Sequence, residues 1–327
     1  MRENERNESS GQQRRPNDGI DRRGFLHCMA WVGTGVLWSM KGGLLTGCTI
    51  QPSGTEGMAG KAPTDVDFSF VQISDSHIGF AKEPNQNVVG TMQEAIRRIN
   101  AGPAAAFLLH TGDLTHLSKP EEFDTVDQLV RTVKTPQAFY VPGEHDVLTD
   151  NGKDYLERYG KGTRGNGWHS FDYKGTHFVG LVNVLDLKPG GLGRLGDEQL
   201  AWLKGDLMGL SSSTPVVVFA HVPLWTVYEK WGWGTDDSAA ALQLLRRFGS
   251  VTVLNGHIHQ VLQKVEGNIT FHTACSTAFP QPAPGTADSP GPMKNVPAEK
   301  LRSMLGMTEV RVMKRPGALA VIDRTLG

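Results

Sequence analysis

Downstream of residue 65 the chain alternates two apolar patterns. Short runs rich in β-branched and aromatic residues, at 68–73, 105–110, 138–141, 177–182, 216–220, 251–254 and 269–272, predict strands. Longer segments with apolar residues three and four apart lie between them. The spacing of Val89, Met92, Ile96 and Ile99 predicts a helix over 88–100. A second helix is expected over 120–133, where Pro120, Glu121 and Glu122 suit a first turn: proline gives up an N–H that has no partner there, and carboxylates complement the positive helix end. Segments 195–210 and 236–248 complete the set. Strands alternating with amphipathic helices predict an α/β layered domain.

Upstream of residue 65 the grammar changes. Residues 1–24 are polar and charged, closing on Asp21-Arg22-Arg23-Gly24-Phe25-Leu26, and 29–46 is mostly apolar and Gly-rich, interrupted by Lys41. This resembles a signal peptide of the twin-arginine export type, although a retained signal anchor or a chance arginine pair reads the same way. Leu45-Thr46-Gly47-Cys48 resembles a lipobox, with Cys48 as the lipidation site. The expectation is a signal peptide over 1–47, a Gly/Pro/Ser/Thr-rich linker over 48–64, a folded domain over 65–279 and a Pro-rich C-terminal extension over 280–327 packing on it, with a helix near 298–305 and a strand near 319–322. An exported protein, periplasmic or lipid-anchored in the bacterial cell envelope, would meet the twin-arginine export machinery. It would touch the membrane only through the signal or a lipidated Cys48.

Composition narrows the partners. Among 327 residues, 33 Lys and Arg balance 34 Asp and Glu for a formal charge of -1, so no general positive field exists to hold nucleic acid, and none is expected as a partner. Cysteines occur only at 28, 48 and 275, a spacing that matches neither a disulfide framework nor a cysteine-based zinc site.

The chemistry gathers where the predicted strands end. Open α/β sheets place ligands beyond the carboxyl ends of their strands, and five strands here run into Asp75-Ser76-His77, Gly112-Asp113, Gly143-Glu144-His145-Asp146, His221 and Asn255-Gly256-His257-Ile258-His259. Carboxylate oxygens and neutral imidazole nitrogens on one rim suit a pair of hard-to-borderline metal ions. Such a pair can make hydroxide at neutral pH and clamp a phosphoryl group.

In this order, Asp75-x-His77, Gly112-Asp113, Gly143-Glu144-His145-Asp146, His221 and Gly256-His257-x-His259 resemble the calcineurin-like metallophosphoesterases over about residues 66–275. The resemblance implies a four-layer α/β/β/α sandwich of two mixed sheets. It implies a hydrolase of phosphomonoesters or phosphodiesters, with a small phosphoester as substrate. Asp75, His77 and His259 would hold one metal, Asp113 would bridge, and Glu144, His221 and His257 would hold the other. The ions would be divalent, or an Fe(III)/divalent pair, drawn from Mn, Fe or Zn. A hydroxide between them would attack phosphorus while His145 protonates the leaving oxygen, with Asp146 orienting the imidazole ring. One position departs from the family, which usually carries Asn where this chain has Glu144. That change leaves metal and substrate choice open, and it supports the alternative of a catalytically weak envelope metal-binding or interaction module on the same fold.

Two further features stand near these motifs. The run Trp225-Thr226-Val227-Tyr228-Glu229-Lys230-Trp231-Gly232-Trp233 follows His221. It reads either as a substrate wall built from Trp225, Tyr228 and Trp231 or as aromatics filling a core. His116, three residues past Asp113, is expected behind the ligands or at the surface. Thr111 and Asn255 are candidates for hydrogen bonds behind the ligands. His110, His169, His177, His272 and His27 have no motif around them and are read as structural or solvent-facing.

Overall fold

The computed structural model describes residues 65–327 apart from Pro189, Pro316 and Ala318, together with the backbone of two short upstream segments. It separates into two compact units, Met1–Ala59 and Gly60–Gly327. In the first, β1 (Leu37–Lys41) and β2 (Leu44–Cys48) form an antiparallel pair with Leu37 opposite Cys48. Arg22-Arg23, His27 and linker positions 49–64 lie outside the described residues. Among the described residues no helix is long and apolar enough to cross a membrane.

The second unit opens with β3 (Val66–Ile73), followed by α1 (Val88–Ala101), β4 (Leu108–His110), α2 (Pro120–Val130), β5 (Ala138–Tyr140) and α3 (Lys153–Tyr159). The Asn87 side chain accepts from the Gly90 N–H at 2.8 Å and so starts α1. The helix then turns Val88, Met92, Ala95, Ile96 and Ile99 inward. Then come β6 (His169–Tyr173), β7 (Thr176–Gly180), α4 (Asp197–Met208), β8 (Val216–Phe219), α5 (Ser238–Leu245), β9 (Val251–Asn255), β10 (Gln263–Glu266) and β11 (Ile269–Thr273). The chain closes with α6 (Ala298–Met304), β12 (Gly306–Met313) and β13 (Leu319–Thr325).

Two mixed sheets result. The first has the order β13-β12-β3-β4-β5, with β12 antiparallel to both neighbours and β3, β4 and β5 parallel. The second runs β10-β11-β9-β8-β7-β6, parallel at its centre with antiparallel edges. Phe68, Phe70, Phe107 and Leu109 of one sheet meet Phe178, Val217, Phe219 and Leu254 of the other in a core between them. The rings of Phe107 and Phe178 sit edge to face, 5.2 Å apart at 87°. Helices α1 to α3 cover the outer face of the first sheet through Met92, Ile96, Phe123, Val126 and Tyr155. Helices α4 and α5 cover the second through Leu203, Leu207, Ala241 and Leu245. This is the four-layer α/β/β/α sandwich that the motif order implied.

Within this second unit the pattern-based reading missed α3 and three strands. Strand β10 is exposed along its whole length and carries no apolar alternation, β6 is a short edge strand interrupted by Asp172, and β12 follows α6 with one residue between them. β12 corrects the expectation for 280–327, because it pairs directly with β3 from Thr308 opposite Gln72 to Val312 opposite Phe68. The extension therefore supplies two strands of the first sheet instead of a tail laid upon it.

Candidate metal centre

The parallel strands β3, β4 and β5 of one sheet and β8 and β9 of the other end in loops that meet at one rim. Five residues of these loops, Asp75, His77, Asp113, His257 and His259, have φ between 40° and 70°. For residues with a Cβ this left-handed conformation costs on the order of 1–3 kcal/mol each, and such strain persists only where the surroundings over-determine it. Here the loops are cross-tied. The Asp75 N–H donates to Gly112 O at 3.0 Å, His77 N–H to Asp113 O at 2.9 Å and Gly256 N–H to His221 O at 3.0 Å. Gly112 has φ 95°, and a Cβ there would fall 2.4 Å from His221 Nδ1; a Cβ on Gly143 would fall 2.1 Å from Asp113 Oδ1. Either side chain would push a candidate ligand away.

Among the described residues the side chains form four overlapping clusters, two of which contain His145 (with His77 and His116, and with Asp113 and Glu144) and two of which take in the seven predicted ligands. Asp75, His77, Asp113 and His259 present one ligand atom each within 4.8 Å of one another, and so do Glu144, His221 and His257. In the first, His77 Nε2 lies 3.2 Å from His259 Nε2, and His259 Nε2 lies 3.3 Å from Asp75 Oδ1. In the second, Glu144 reaches His221 Nε2 at 2.8 Å and His257 Nδ1 at 2.9 Å. Asp113 stands between them: its Oδ2 is 3.4 Å from His77 Nε2 and 3.4 Å from His221 Nε2, while its Oδ1 accepts the His145 N–H at 2.9 Å.

The partners of the ring nitrogens say what belongs in the gap. His221 Nδ1 faces the Thr111 carbonyl oxygen at 2.7 Å and His259 Nδ1 faces the Phe279 carbonyl oxygen at 2.5 Å. A carbonyl only accepts, so in the neutral rings the hydrogen sits on Nδ1 and Nε2 is a bare lone pair. His221 Nε2 makes no hydrogen bond despite its closeness to Glu144, being out of line for one. The Nε2 lone pairs of His221 and His259 thus converge with the carboxylates of Asp75, Asp113 and Glu144, an arrangement that positive charge makes favourable. The ionisation directions show the same demand for positive charge, here met by protons on the rings. Burial would raise the Asp75 and Glu144 carboxyls, yet the facing histidines hold both below the usual range. Burial would lower His221, yet Asp113 and Glu144 hold it well above. The residues present fit two metal cations.

The residues behind these clusters differ in part from expectation. Asp146 does not orient the His145 ring. Its carboxylate accepts from the Gly143, Leu114 and Thr115 N–H groups at 2.9, 3.1 and 2.8 Å and from the Thr115 hydroxyl at 2.8 Å, tying the β4 loop to the β5 loop. Burial, with the nearby Asp113 carboxylate, pushes Asp146 up to about 7. The His145 ring is held instead by the His116 main-chain oxygen, 2.6 Å from Nδ1. Thr111 serves through its carbonyl, and the Asn255 amide ties Ala220 O and Val222 O on either side of His221 at 2.9 and 3.1 Å.

The aromatic run is not brought together as a wall. Trp225 packs on Phe271, 5.0 Å between rings, in the outer core of the second sheet. Trp231 and Trp233 are buried against Ile258, the residue between His257 and His259, and Tyr228 packs partly buried on the same cluster. His110 is buried beside Ser76, and burial lowers it to about 3. His177 and His272 pair with acids away from the rim.

Sequence reasoning left His116 behind the ligands or at the surface, and its Nδ1 lies 3.4 Å from Nδ1 of the candidate ligand His77. It missed Phe279, whose carbonyl holds His259 and whose ring lies 4.8 Å from that of His77. The spacing of His116 from Asp113 was a usable signal; a main-chain carbonyl leaves none.

Over residues 68–261 the sequence matches the calcineurin-like phosphoesterases. The chain belongs to this family. Its members are hydrolases acting on phosphoric ester bonds. No curated protein sequence matches this phosphoesterase significantly. Solved structures share its fold at low identity. A dimetal phosphatase from Danio rerio is 14% identical with a TM-score of 0.61, covering 80% of this chain and 98% of its own. A purple acid phosphatase from yellow lupin (Lupinus luteus) seeds is 13% identical with a TM-score of 0.56, covering 79% of this chain, which spans only 54% of the lupin protein.

Proposed function

We propose that this phosphoesterase hydrolyses phosphomonoesters or phosphodiesters with two metal ions, one held by Asp75, His77, Asp113 and His259 and the other by Asp113, Glu144, His221 and His257. The observation that carries the reading is the position of Asp113 Oδ2, 3.4 Å from a ring nitrogen of each cluster. Two bound cations, divalent or an Fe(III)/divalent pair of Mn, Fe or Zn, would supply the charge that clamps a phosphoryl group and the acidity that makes hydroxide available at neutral pH. The chain's own part is positional. Asp113 fixes the separation of the clusters. His145 keeps its Nδ1–H on the His116 carbonyl and so offers Nε2 to protonate the leaving oxygen. That a dimetal phosphatase and a purple acid phosphatase share the fold supports a two-metal phosphatase reading.

Glu144 supports a second reading, a weakly catalytic metal-binding module, because its carboxylate spans both histidines of the second cluster where the family usually has a neutral amide. A parallel assay on a chromogenic monoester and diester with added Mn, Fe or Zn, with bound metal quantified, separates the two. Turnover that collapses in His145→Ala establishes the hydrolase; two bound metals without turnover establish the module. The pattern around Arg22-Arg23 supports export by the twin-arginine route to the periplasm or, through Cys48, to a lipid anchor. Arg22→Lys/Arg23→Lys protein that still reached the envelope normally would overturn the route, and failure of fatty-acid labelling at Cys48 would overturn the anchor.

A further inference from the structure

Each imidazole that offers Nε2 to a metal needs an acceptor for the proton on its other nitrogen, since that bond sets both tautomer and ring orientation. His221 and His259 meet this need with main-chain carbonyls, those of Thr111 and Phe279. His77 does not. Its Nε2 points to where the others converge, 3.2 Å from His259 Nε2 and 3.4 Å from Asp113 Oδ2. The polar atom that the structure sets against its Nδ1 is Nδ1 of His116, at 3.4 Å. We infer that His116 is a positioning residue for the first metal, accepting the Nδ1 proton of His77 and so holding Nε2 of that ring bare and aimed at the ion. The inference rests on the proposed ligation by His77.

The His116 ring is built to stay in place. It lies parallel to the His145 ring, 4.9 Å away at 14°, and edge-on to Phe80 at 5.2 Å. The main-chain N–H of His116 donates to Ile78 O at 2.9 Å and also meets Oε2 of the buried Glu122 at 3.2 Å, while the Leu117 N–H donates to that same oxygen at 2.7 Å, which fixes the backbone that carries the ring. Neutral His116 then carries its own proton on Nε2, and its Nδ1 lone pair faces His77. Where His221 and His259 rely on backbone, His77 relies on a side chain that substitution can remove.

Two variants divide what the ring does. His116→Asn keeps an acceptor, because an asparagine side-chain oxygen can occupy the place of a histidine Nδ1, but it loses the stack on His145. His116→Phe keeps a flat ring and loses the acceptor. Zinc affinities are read by competition with a chromophoric chelator, and folding by circular dichroism. The expected result is that one of the two affinities falls about 10- to 100-fold in His116→Phe, the range found when such outer partners are lost, and stays within about threefold of wild type in His116→Asn. Equal losses in both variants, or no loss in His116→Phe, overturn the inference. Should His116→Phe not fold, nitrogen NMR of the zinc-loaded wild type decides. Protons on His77 Nδ1 and His116 Nε2 support the inference; a proton on His77 Nε2 or His116 Nδ1 overturns it. Wild-type protein that takes up no metal overturns it together with the proposed ligand set, whereas metal uptake without ester hydrolysis overturns only the proposed activity.

Discussion

His145 Nδ1 lies 2.6 Å from the main-chain oxygen of His116, so the one side chain proposed to move a proton is oriented by backbone and not by the adjacent Asp146. A main-chain acceptor leaves Nε2 as the working nitrogen and survives any substitution at residue 116. His145→Ala is expected to lower kcat by ~10²–10⁴, the usual worth of a positioned proton donor, with metal content unchanged. The loss should grow as the leaving group becomes more basic, which a series of substituted phenyl phosphates measures.

Glu144 spans His221 and His257 at 2.8 and 2.9 Å and is the third carboxylate of the centre. Glu144→Ala removes the one oxygen donor that the second cluster does not share with the first. Bound metal should fall from two ions per chain to one, checked by elemental analysis after dialysis, while Asp113→Ala should disturb both ions because both clusters face its Oδ2.

Trp233 is 1% exposed and sits edge to face on Trp231, 5.0 Å between rings, with both against Ile258. Trp233→Ala leaves a cavity behind the turn that carries His257 and His259. It should cost ~3–5 kcal/mol of stability in urea unfolding, and it should weaken metal binding even though Trp233 touches no metal.

His177 offers a pH test remote from the metals. Its ring nitrogens lie 2.8 Å from Asp172 and 2.9 Å from Asp206, so both must donate and the ring is an imidazolium. Burial opposes this, but the carboxylates outweigh it and the pKa is raised; Asp206, with His177 and Ser170 donating to it, is held low against its own burial. A raised histidine contributes stability in full below its ordinary pKa of about 6.5. That contribution fades as pH climbs through the raised value. The lowered Asp206 contributes above about 3.9 and fades only in stronger acid. Asp206→Asn should therefore cost about 1–2 kcal/mol at pH 5.5 and distinctly less at pH 9, as urea unfolding at the two pH values would show.

Much of the fold could be read from local pattern. Buried central strands such as β8, with the run Val216–Phe219, announce themselves because both faces are apolar. Edge strands do not: in β10, Gln263–Glu266, every side chain is exposed, so no burial pattern marks it. The candidate site was visible because its residues follow strand ends and glycines mark where the loops must pass close, as at Gly112 and Gly143. The roles of Asp146 and the aromatic run were not visible, since both depend on which loop comes to lie against which.

The sequence by itself determined the alternation of strands and helices, the rim on which Asp75, His77, Asp113, Glu144, His145, His221, His257 and His259 gather, and the family to which they point. Only the tertiary structure decided that β12 enters the first sheet beside β3, that Asp146 ties backbone instead of the His145 ring, and that the carbonyls of Thr111, His116 and Phe279 orient three histidines. The reason is physical. Side-chain periodicity is a local record of which face is buried, whereas every residue carries the same carbonyl, and its partner is set only when distant segments pack together.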